Sequence, residues 1–363
     1  MTHKHVVVAM SGGVDSSVAA ALLKERGFEV TGVTMNLFSL PREVCLSEEL
    51  RSCCGFKAVE DAQRVAAALG IPHFVVDFRG EFERSVIADF CREYSLGRTP
   101  NPCLRCNEHI KFSLLAQRAR KIGADFVATG HHARVEYDKA SGRYLLKKGK
   151  DRTKDQSYFL YPLSQEQLAF SLFPVGEMTK VRVRQLARKG KLPVAEKAES
   201  QEICFVLDDD YARFLENRAP GSFKAGPILD RSGNVLGRHR GISLFTIGQR
   251  KGMGIAARQP LYVLAIDAER NAVIVGNDED LLQKKLIASR VNWISVPGLD
   301  RPLLVKAKIR YRHQEASAVV IPAREGTIEV EFKKPQRAVT PGQSVVFYNG
   351  DVVVGGAVID SSP

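Results

Sequence analysis

The stretch Ser11-Gly12-Gly13-Val14-Asp15-Ser16 constrains this chain more than any other. It follows a short β-branched run at residues 6–10 and opens a helical stretch that reaches about Arg26. Two glycines between a strand and a helix let backbone amides approach an anion closely. The helix N-terminus adds a positive dipole end and free N–H donors. Ser11, Ser16 and Ser17 add hydroxyls. The stretch has neither the lysine of a Walker A loop nor the G-x-G-x-x-G spacing of a dinucleotide site, so it predicts a phosphate loop of another kind.

The flanking pattern supplies the scaffold. Residues 28–37, 73–78 and 125–129 read as strands, and residues 81–96 and 113–122 as helices. Val59, Ala62, Val65, Ala66 and Leu69 share one helical face. Repeated β-α units predict an α/β fold with a doubly wound parallel sheet and ligands beyond the carboxyl ends of its strands. Helices are expected again at 164–172 and 179–189. From about Lys224 the chain becomes short β-rich runs separated by Gly, Pro, Asn and Asp, ending in a small closing barrel. Val305, Ala307, Ile309 and Tyr311 alternate with Lys306, Lys308, Arg310 and Arg312, which predicts a strand with a cationic outer face. The expected divisions are 1–205 for the parallel-sheet domain, 206–280 for a central β-rich domain and 281–363 for the barrel.

A formal net charge of +12 favours a polyanionic partner. No run of 18 apolar residues is present to span a membrane, and the first strand begins too early to leave room for a signal peptide. Seven cysteines without secretory features point to a reducing compartment, with the cytoplasm expected, where thiols serve chemistry or metal. The six-residue loop resembles the SGGxDS loop of the N-type ATP pyrophosphatases. That resemblance implies attack of an acceptor oxygen on the α-phosphate of ATP, giving an adenylate and pyrophosphate. Met35 would lie where adenine packs, and Gly130, in Thr129-Gly130-His131-His132, would admit the nucleotide.

Two further segments carry cysteines. In Thr99-Pro100-Asn101-Pro102-Cys103-Leu104-Arg105-Cys106-Asn107 the prolines predict an extended loop before a helix. Cys106 near that helix start is expected to have a lowered thiol pKa. Glu199-Ser200-Gln201-Glu202-Ile203-Cys204-Phe205 holds another thiol. Beside a pyrophosphatase loop, separated cysteines suggest sulfur transfer to an adenylated carbon.

Together with Lys154-Asp155-Gln156-Ser157-Tyr158 and Phe245-Thr246-Ile247-Gly248-Gln249-Arg250-Lys251-Gly252, these segments resemble the bacterial tRNA-specific 2-thiouridylases, the MnmA/TrmU family. The resemblance implies 2-thiolation of the wobble uridine in tRNAs for lysine, glutamate and glutamine, with Mg²⁺-ATP and a sulfur-donor protein or hydrosulfide. Catalytic roles carry over to Cys106 and Cys204. ATP contacts carry over to Ala9, Met10, Ser11, Gly12, Gly13, Val14, Asp15, Ser16, Met35 and Gly130. Contacts to tRNA carry over to Asn101, His131, Lys154, Asp155, Gln156, Arg310, Tyr311 and Gln343.

One departure matters. The family's usual aspartate is Cys103 here, giving a third thiolate. Cys103, Cys106 and Cys204 are compatible with a persulfide pair, with a [4Fe–4S] cluster having one open iron, or with zinc, and thiolate spacing alone does not choose. Cys91 is expected to be a buried small side chain, and Cys45, Cys53 and Cys54 to be structural, with a metal site as the alternative. Residues 180–191, with six cations and no acid, form a second candidate phosphate track. The competing functional class is a pyrophosphatase-loop ligase acting on a small molecule, for which the cysteines are incidental. A non-catalytic RNA-binding module is a third, disfavoured by the intact loop.

Overall fold

Val6, Val7 and Val8 are fully buried, as a strand covered on both faces requires. They form the centre of β1 (His5–Ala9), which is followed by α1 (Val14–Glu25), β2 (Glu29–Asn36), α2 (Phe56–Leu69) and β3 (His73–Asp77). The computed structural model describes residues 4–38, 56–198, 203–206, 210–324 and 326–362. Cys45, Cys53, Cys54 and Glu199–Glu202 lie outside them. Two units are distinguished. One comprises Met1–Val86, Cys103–Asp209 and Asp351–Val353, and the other Ile87–Pro102, Asp210–Gly350 and Val354–Pro363.

The first unit is built on a five-stranded sheet that adds β4 (Phe126–Ala128) and, after the hairpin β5 (Ala133–Asp138) and β6 (Arg143–Lys148), β7 (Ser171–Leu172). Its order is β3-β2-β1-β4-β7, with all pairings parallel. The chain steps outward on one side of β1 and then returns to its other side, so β1 and β4 flank the topological switch point where such sheets bind ligands. The core joins Val6, Val8 and Met10 to Val18, Leu22 and Leu23 of α1, and to Val183 and Ala187 of α3 (Lys180–Lys189).

Three expectations need correction here. The predicted helix at 164–172 stops at Ala169. Ser164 and Gln167 close a capping box at its start, and Ser171–Leu172 instead pairs with β4 in register Val127↔Ser171. The helix expected from Ser113 begins earlier, at Pro102, and runs on through the abutting segments Pro102–Arg105, Cys106–Leu114 and Leu115–Lys121. Proline suits a first helical position because its missing N–H would have no partner there. Cys91, expected to be buried, is half-buried on the helix Ala88–Ser95.

The second unit carries two β structures. The smaller is β10 (Tyr262–Asp267), β11 (Ala272–Gly276), β8 (Gly226–Leu229) and β9 (Val235–His239) in that spatial order, around Ile228, Val263, Val273 and Val275. The larger is a closed barrel of β12 (Leu282–Trp293), β15 (Ile328–Arg337), β14 (Ala316–Pro322), β13 (Leu303–Lys308), β16 (Ser344–Asn349) and β17 (Val352–Ser361). Pairing of β12 with β17 closes it, which removes exposed sheet edges. The predicted cationic strand is only half present: β13 ends at Lys308. Arg310 lies past the strand, and its Nη1 donates to the carbonyls of Arg337 and Ala338, each at 3.3 Å.

Candidate nucleotide and thiol site

Ser11 to Ser16 leave β1 and enter α1 as a tight, self-bonded turn. The Ser11 amide donates to Ser16 Oγ at 3.3 Å, while Ser16 Oγ and Ser17 Oγ donate to the Gly13 carbonyl at 3.2 and 2.8 Å. Thr34 Oγ1 donates to the Met10 carbonyl at 2.8 Å, tying the end of β1 to β2. Gly12 has φ +66°, and a Cβ there would stand 2.4 Å from the Ala58 carbonyl oxygen of α2. Gly130, just past β4, meets the loop from the other side, where a Cβ would lie 2.5 Å from the Ser16 nitrogen. Met35 is half-buried near the carboxyl end of β2, opposite Val76 of β3. Thus Ala9, Met10, the loop, Met35 and Gly130 share the carboxyl edge of the sheet.

The cation that the loop lacks comes from elsewhere in the chain. Lys180, the first residue of α3, places its Nζ 2.7 and 2.6 Å from the two carboxylate oxygens of Asp15. His132 Nε2 lies 3.2 Å from Asp15 Oδ1. Burial works against ionisation of Asp15, but the His132 hydrogen bond and the Lys180 charge outweigh it, and its pKa falls below the ordinary value. A second lysine, Lys197, donates to the Gly12 carbonyl at 3.0 Å and to Asp61 Oδ2 at 2.7 Å. Asp61 is buried, and Lys197 with Arg64 likewise overcomes its desolvation. From sequence Lys180 reads only as one cation of the candidate track 180–191 and Lys197 carries no role, because nothing local sets either beside the phosphate loop. Their position also breaks up the predicted phosphate track. Lys180 turns inward, Arg184 donates to the Ala195 and Lys197 carbonyls, and Arg188 pairs with Glu196.

The thiols occupy the same unit. Cys106 is buried, Cys204 is half-buried and Cys103 retains exposed surface. The expected lowering of the Cys106 thiol is overturned. Cys106 lies one turn into the helix that starts at Pro102, away from its free amides, and burial pushes its pKa up to about 12. The positive charge of Lys111 opposes that rise, while Cys204 and Cys103 add to it. Cys103, hemmed in by protein on most sides despite its exposed surface, is raised to about 11 by desolvation and Cys204, again against Lys111. The helix has π geometry over Cys106–Leu114, a form frequent at functional sites. Lys111 is held by Asn107 Oδ1 at 3.0 Å, and Asn107 in turn donates to the Phe159 carbonyl at 2.9 Å. Lys111 is therefore a site residue that sequence reasoning missed. Among the described residues no three His, Cys, Asp or Glu side chains stand close enough together to hold a metal ion. The three cysteines as placed do not fit a cluster or zinc.

The residues expected to contact RNA divide by what they already bind. His131 packs between the rings of Phe112 and Phe173 and bonds Thr129 Oγ1 through Nδ1 at 2.7 Å. Its burial, with Lys111 and His132 nearby, keeps it neutral near pH 7. Asp155 is buried, with Oδ1 accepting from the Gly149 and Ser157 amides and Oδ2 from the Ser157 hydroxyl. Gln156 Oε1 accepts from the His132 amide at 2.8 Å, so this residue steadies the histidine beside Asp15. Lys154 closes its turn through a backbone bond to the Asp151 carbonyl at 3.1 Å. In the second unit, Gln343 Nε2 donates to the Thr99 carbonyl at 2.9 Å, two residues before the half-buried Asn101. Tyr311 is half-buried in the turn after β13. No helix among the described residues is long and apolar enough to cross a membrane.

Known proteins resemble the chain along its whole length. A family model described as the tRNA methyl transferase HUP domain matches residues 4–208. A PRC-barrel domain model of the same series matches 212–277, and an aminomethyltransferase beta-barrel domain model matches 283–359. The chain is 52% identical over 360 residues to the tRNA-specific 2-thiouridylase MnmA of Symbiobacterium thermophilum, covering 98% of this chain and 92% of that one. It is 54% identical over 358 residues to the tRNA-specific 2-thiouridylase MnmA of Moorella thermoacetica, covering 98% and 99% respectively.

Proposed function

The chain belongs to the MnmA family of tRNA-specific 2-thiouridylases, and on that premise we propose that it adenylates the wobble uridine of tRNA with ATP and replaces its 2-oxygen with sulfur. The uridine oxygen attacks the α-phosphate and pyrophosphate leaves; the outer sulfur of a cysteine persulfide then attacks C2 with AMP as the leaving group, and the partner thiolate breaks the S–S bond, releasing 2-thiouridine and leaving a protein disulfide that a thiol reductant reopens. The phosphate loop cradles the nucleotide through backbone amides and serine hydroxyls. Asp15, ionised at neutral pH, is the loop carboxylate suited to meet Mg²⁺ arriving with the nucleotide. That ion would neutralise phosphate charge.

For the sulfur step we assign the persulfide to Cys204 and the partner thiol to Cys106. The supporting observation is that Cys204, 98 residues from Cys106 in sequence, stands close enough to push the Cys106 thiol further up, in the unit that carries the phosphate loop. Lys111 supplies the cation that favours a sulfur anion there. A persulfide donor fits these thiols and a cluster does not, so no step is routed through iron. A small-molecule ligase would have no use for paired thiols beside Lys111.

The test combines unmodified tRNA, ATP and a persulfide donor, with nucleoside mass spectrometry for 2-thiouridine and separate detection of AMP. Wild type should form both products in proportion. Cys106→Ser and Cys204→Ser should lose the thionucleoside while still releasing pyrophosphate in the presence of tRNA. Thiolation by either variant at the wild-type rate would remove its cysteine from the sulfur path. ATP turnover indifferent to tRNA would favour the ligase reading.

A further inference from the structure

Cys103 is the thiol that the sulfur chemistry above leaves unused, and it differs from the other two in access. Cys106 is buried and Cys204 half-buried, whereas Cys103 is the only exposed cysteine among the described residues. The reaction leaves a disulfide between the two less accessible sulfurs. A reductant opens such a bond by bringing its own thiolate onto one of the two sulfurs, so access limits the rate.

The helix brings Cys103 to that bond. It starts at Pro102, which makes Cys103 its second residue and Cys106 its fifth. Residues three apart on a helix lie on one face with Cα atoms about 5 Å apart, inside the range of roughly 4.4–6.8 Å that a disulfide spans. Amides of the first turn have no partner within the helix, so its backbone adjusts at little cost. The regular α turn also ends at Arg105, and Cys106 opens the π segment. Charge favours the attack once the other two thiols are oxidised. Burial and the neighbouring Cys204 raise the Cys103 thiol to about 11, and Lys111 opposes them. A Cys204 bound in a disulfide carries no charge, so its contribution disappears while that of Lys111 stays.

We propose that Cys103 is the recycling thiol of this enzyme, relaying electrons from an external dithiol to the Cys106–Cys204 disulfide. The Cys103 thiol gives its proton to water and the thiolate attacks Cys106 Sγ. The Cys103–Cys106 bond forms, the Cys106–Cys204 bond breaks, and Cys204 leaves as a thiolate that takes up a proton. This exchange involves no net oxidation. The dithiol then reduces the Cys103–Cys106 bond, which has one exposed sulfur, and is itself oxidised to a disulfide. All three thiols are restored, and Cys204 is ready for the next persulfide. The relay rests on the persulfide reading.

For the test, the full chain is loaded with cysteine persulfide, freed of the donor, and given unmodified tRNA and ATP without reductant. One turnover is quenched with acid, alkylated and peptide-mapped. Wild type should carry a Cys103–Cys106 disulfide, with Cys204 alkylated. Cys103→Ser should make as much 2-thiouridine in that turnover and stop at a Cys106–Cys204 disulfide. In steady state with dithiothreitol the variant should turn over roughly tenfold more slowly, since the reductant must then reach a less accessible bond. A wild-type Cys106–Cys204 disulfide with Cys103 still alkylated would overturn the proposal, and so would a Cys103–Cys204 disulfide or equal steady-state rates for the two proteins. The wild-type map alone decides the matter if Cys103→Ser does not fold. Thionucleoside formed with no protein disulfide at all would instead count against the persulfide reading itself.

Discussion

The ammonium group of Lys180 bridges both carboxylate oxygens of Asp15, at 2.7 and 2.6 Å, across 165 positions of sequence. A loop without its own lysine is thus provided with one from the start of α3, where α3 packs against α1. In the proposed reaction the same cation would meet phosphate charge, with Asp15 turning to Mg²⁺. Lys180→Met should lower tRNA-dependent pyrophosphate release by about two orders of magnitude, the scale of one lost charge-stabilising donor. Lys180→Arg should recover part of the rate, and tRNA affinity should be unchanged. Pyrophosphate release at the wild-type rate from Lys180→Met would remove the lysine from the reaction.

The glycines of the loop region are not equivalent. A Cβ at Gly130 meets backbone at 2.5 Å, whereas one at Gly13 meets only the Ser11 hydroxyl, at 3.3 Å. Gly130→Ala should cost about 1–3 kcal/mol of stability through overpacking and should abolish ATP use. Gly13→Ala should stay within about 1 kcal/mol of wild type, since its backbone conformation is open to any residue. Denaturant melts of the two variants check this order, and equal destabilisation would contradict it.

Thiol titration gives a pH signature. Cys103 and Cys106, raised to about 11 and about 12, are protonated at neutral pH in the resting protein. Folded pKa values above the unfolded ones mean the native state holds extra protons between them. The associated stability is complete below about pH 8.5 and is lost as pH rises through about 11 and 12. Alkylation followed by peptide mapping should show both sites slow near neutrality and accelerating through pH 9–11, with exposed Cys103 ahead of buried Cys106. Fast modification of Cys106 at pH 7 would contradict the burial argument.

Lys111 opposes both of these shifts. Lys111→Met should move the two alkylation profiles to higher pH and slow thiolation, while leaving tRNA-stimulated AMP formation near the wild-type rate. A variant whose profiles do not move would show that the ammonium group does not act on the thiols.

Cys103 distinguishes the sulfur mechanisms. With a persulfide on Cys204, Cys103→Ser should keep appreciable thiolation in air, and protein purified without oxygen should need no iron. Stoichiometric iron and sulfide, lost together with activity in Cys103→Ser, would refute the persulfide assignment and imply that the thiols rearrange around a cluster.

The sequence alone determined the parallel sheet and the phosphate loop, because both rest on local rules. Buried strands read as apolar runs, and a glycine pair at a strand–helix junction has few conformations and few uses. It also determined the family, since four short segments in fixed order are specific without any coordinates. Packing decided the rest. Val127 pairs with Ser171 although residues 164–172 read as helix, because two residues of strand carry too little pattern to be seen. Arg310 turns back onto the barrel although it continues the alternation of β13, because the strand ends at Lys308. The thiol pKa values follow from how much protein surrounds each sulfur, which a helix start in the sequence cannot report. The pairing of Lys180 with Asp15 belongs to the same class. Spacing along the chain carries no information about a contact made by two helices lying side by side, and only tertiary structure brings those charges together.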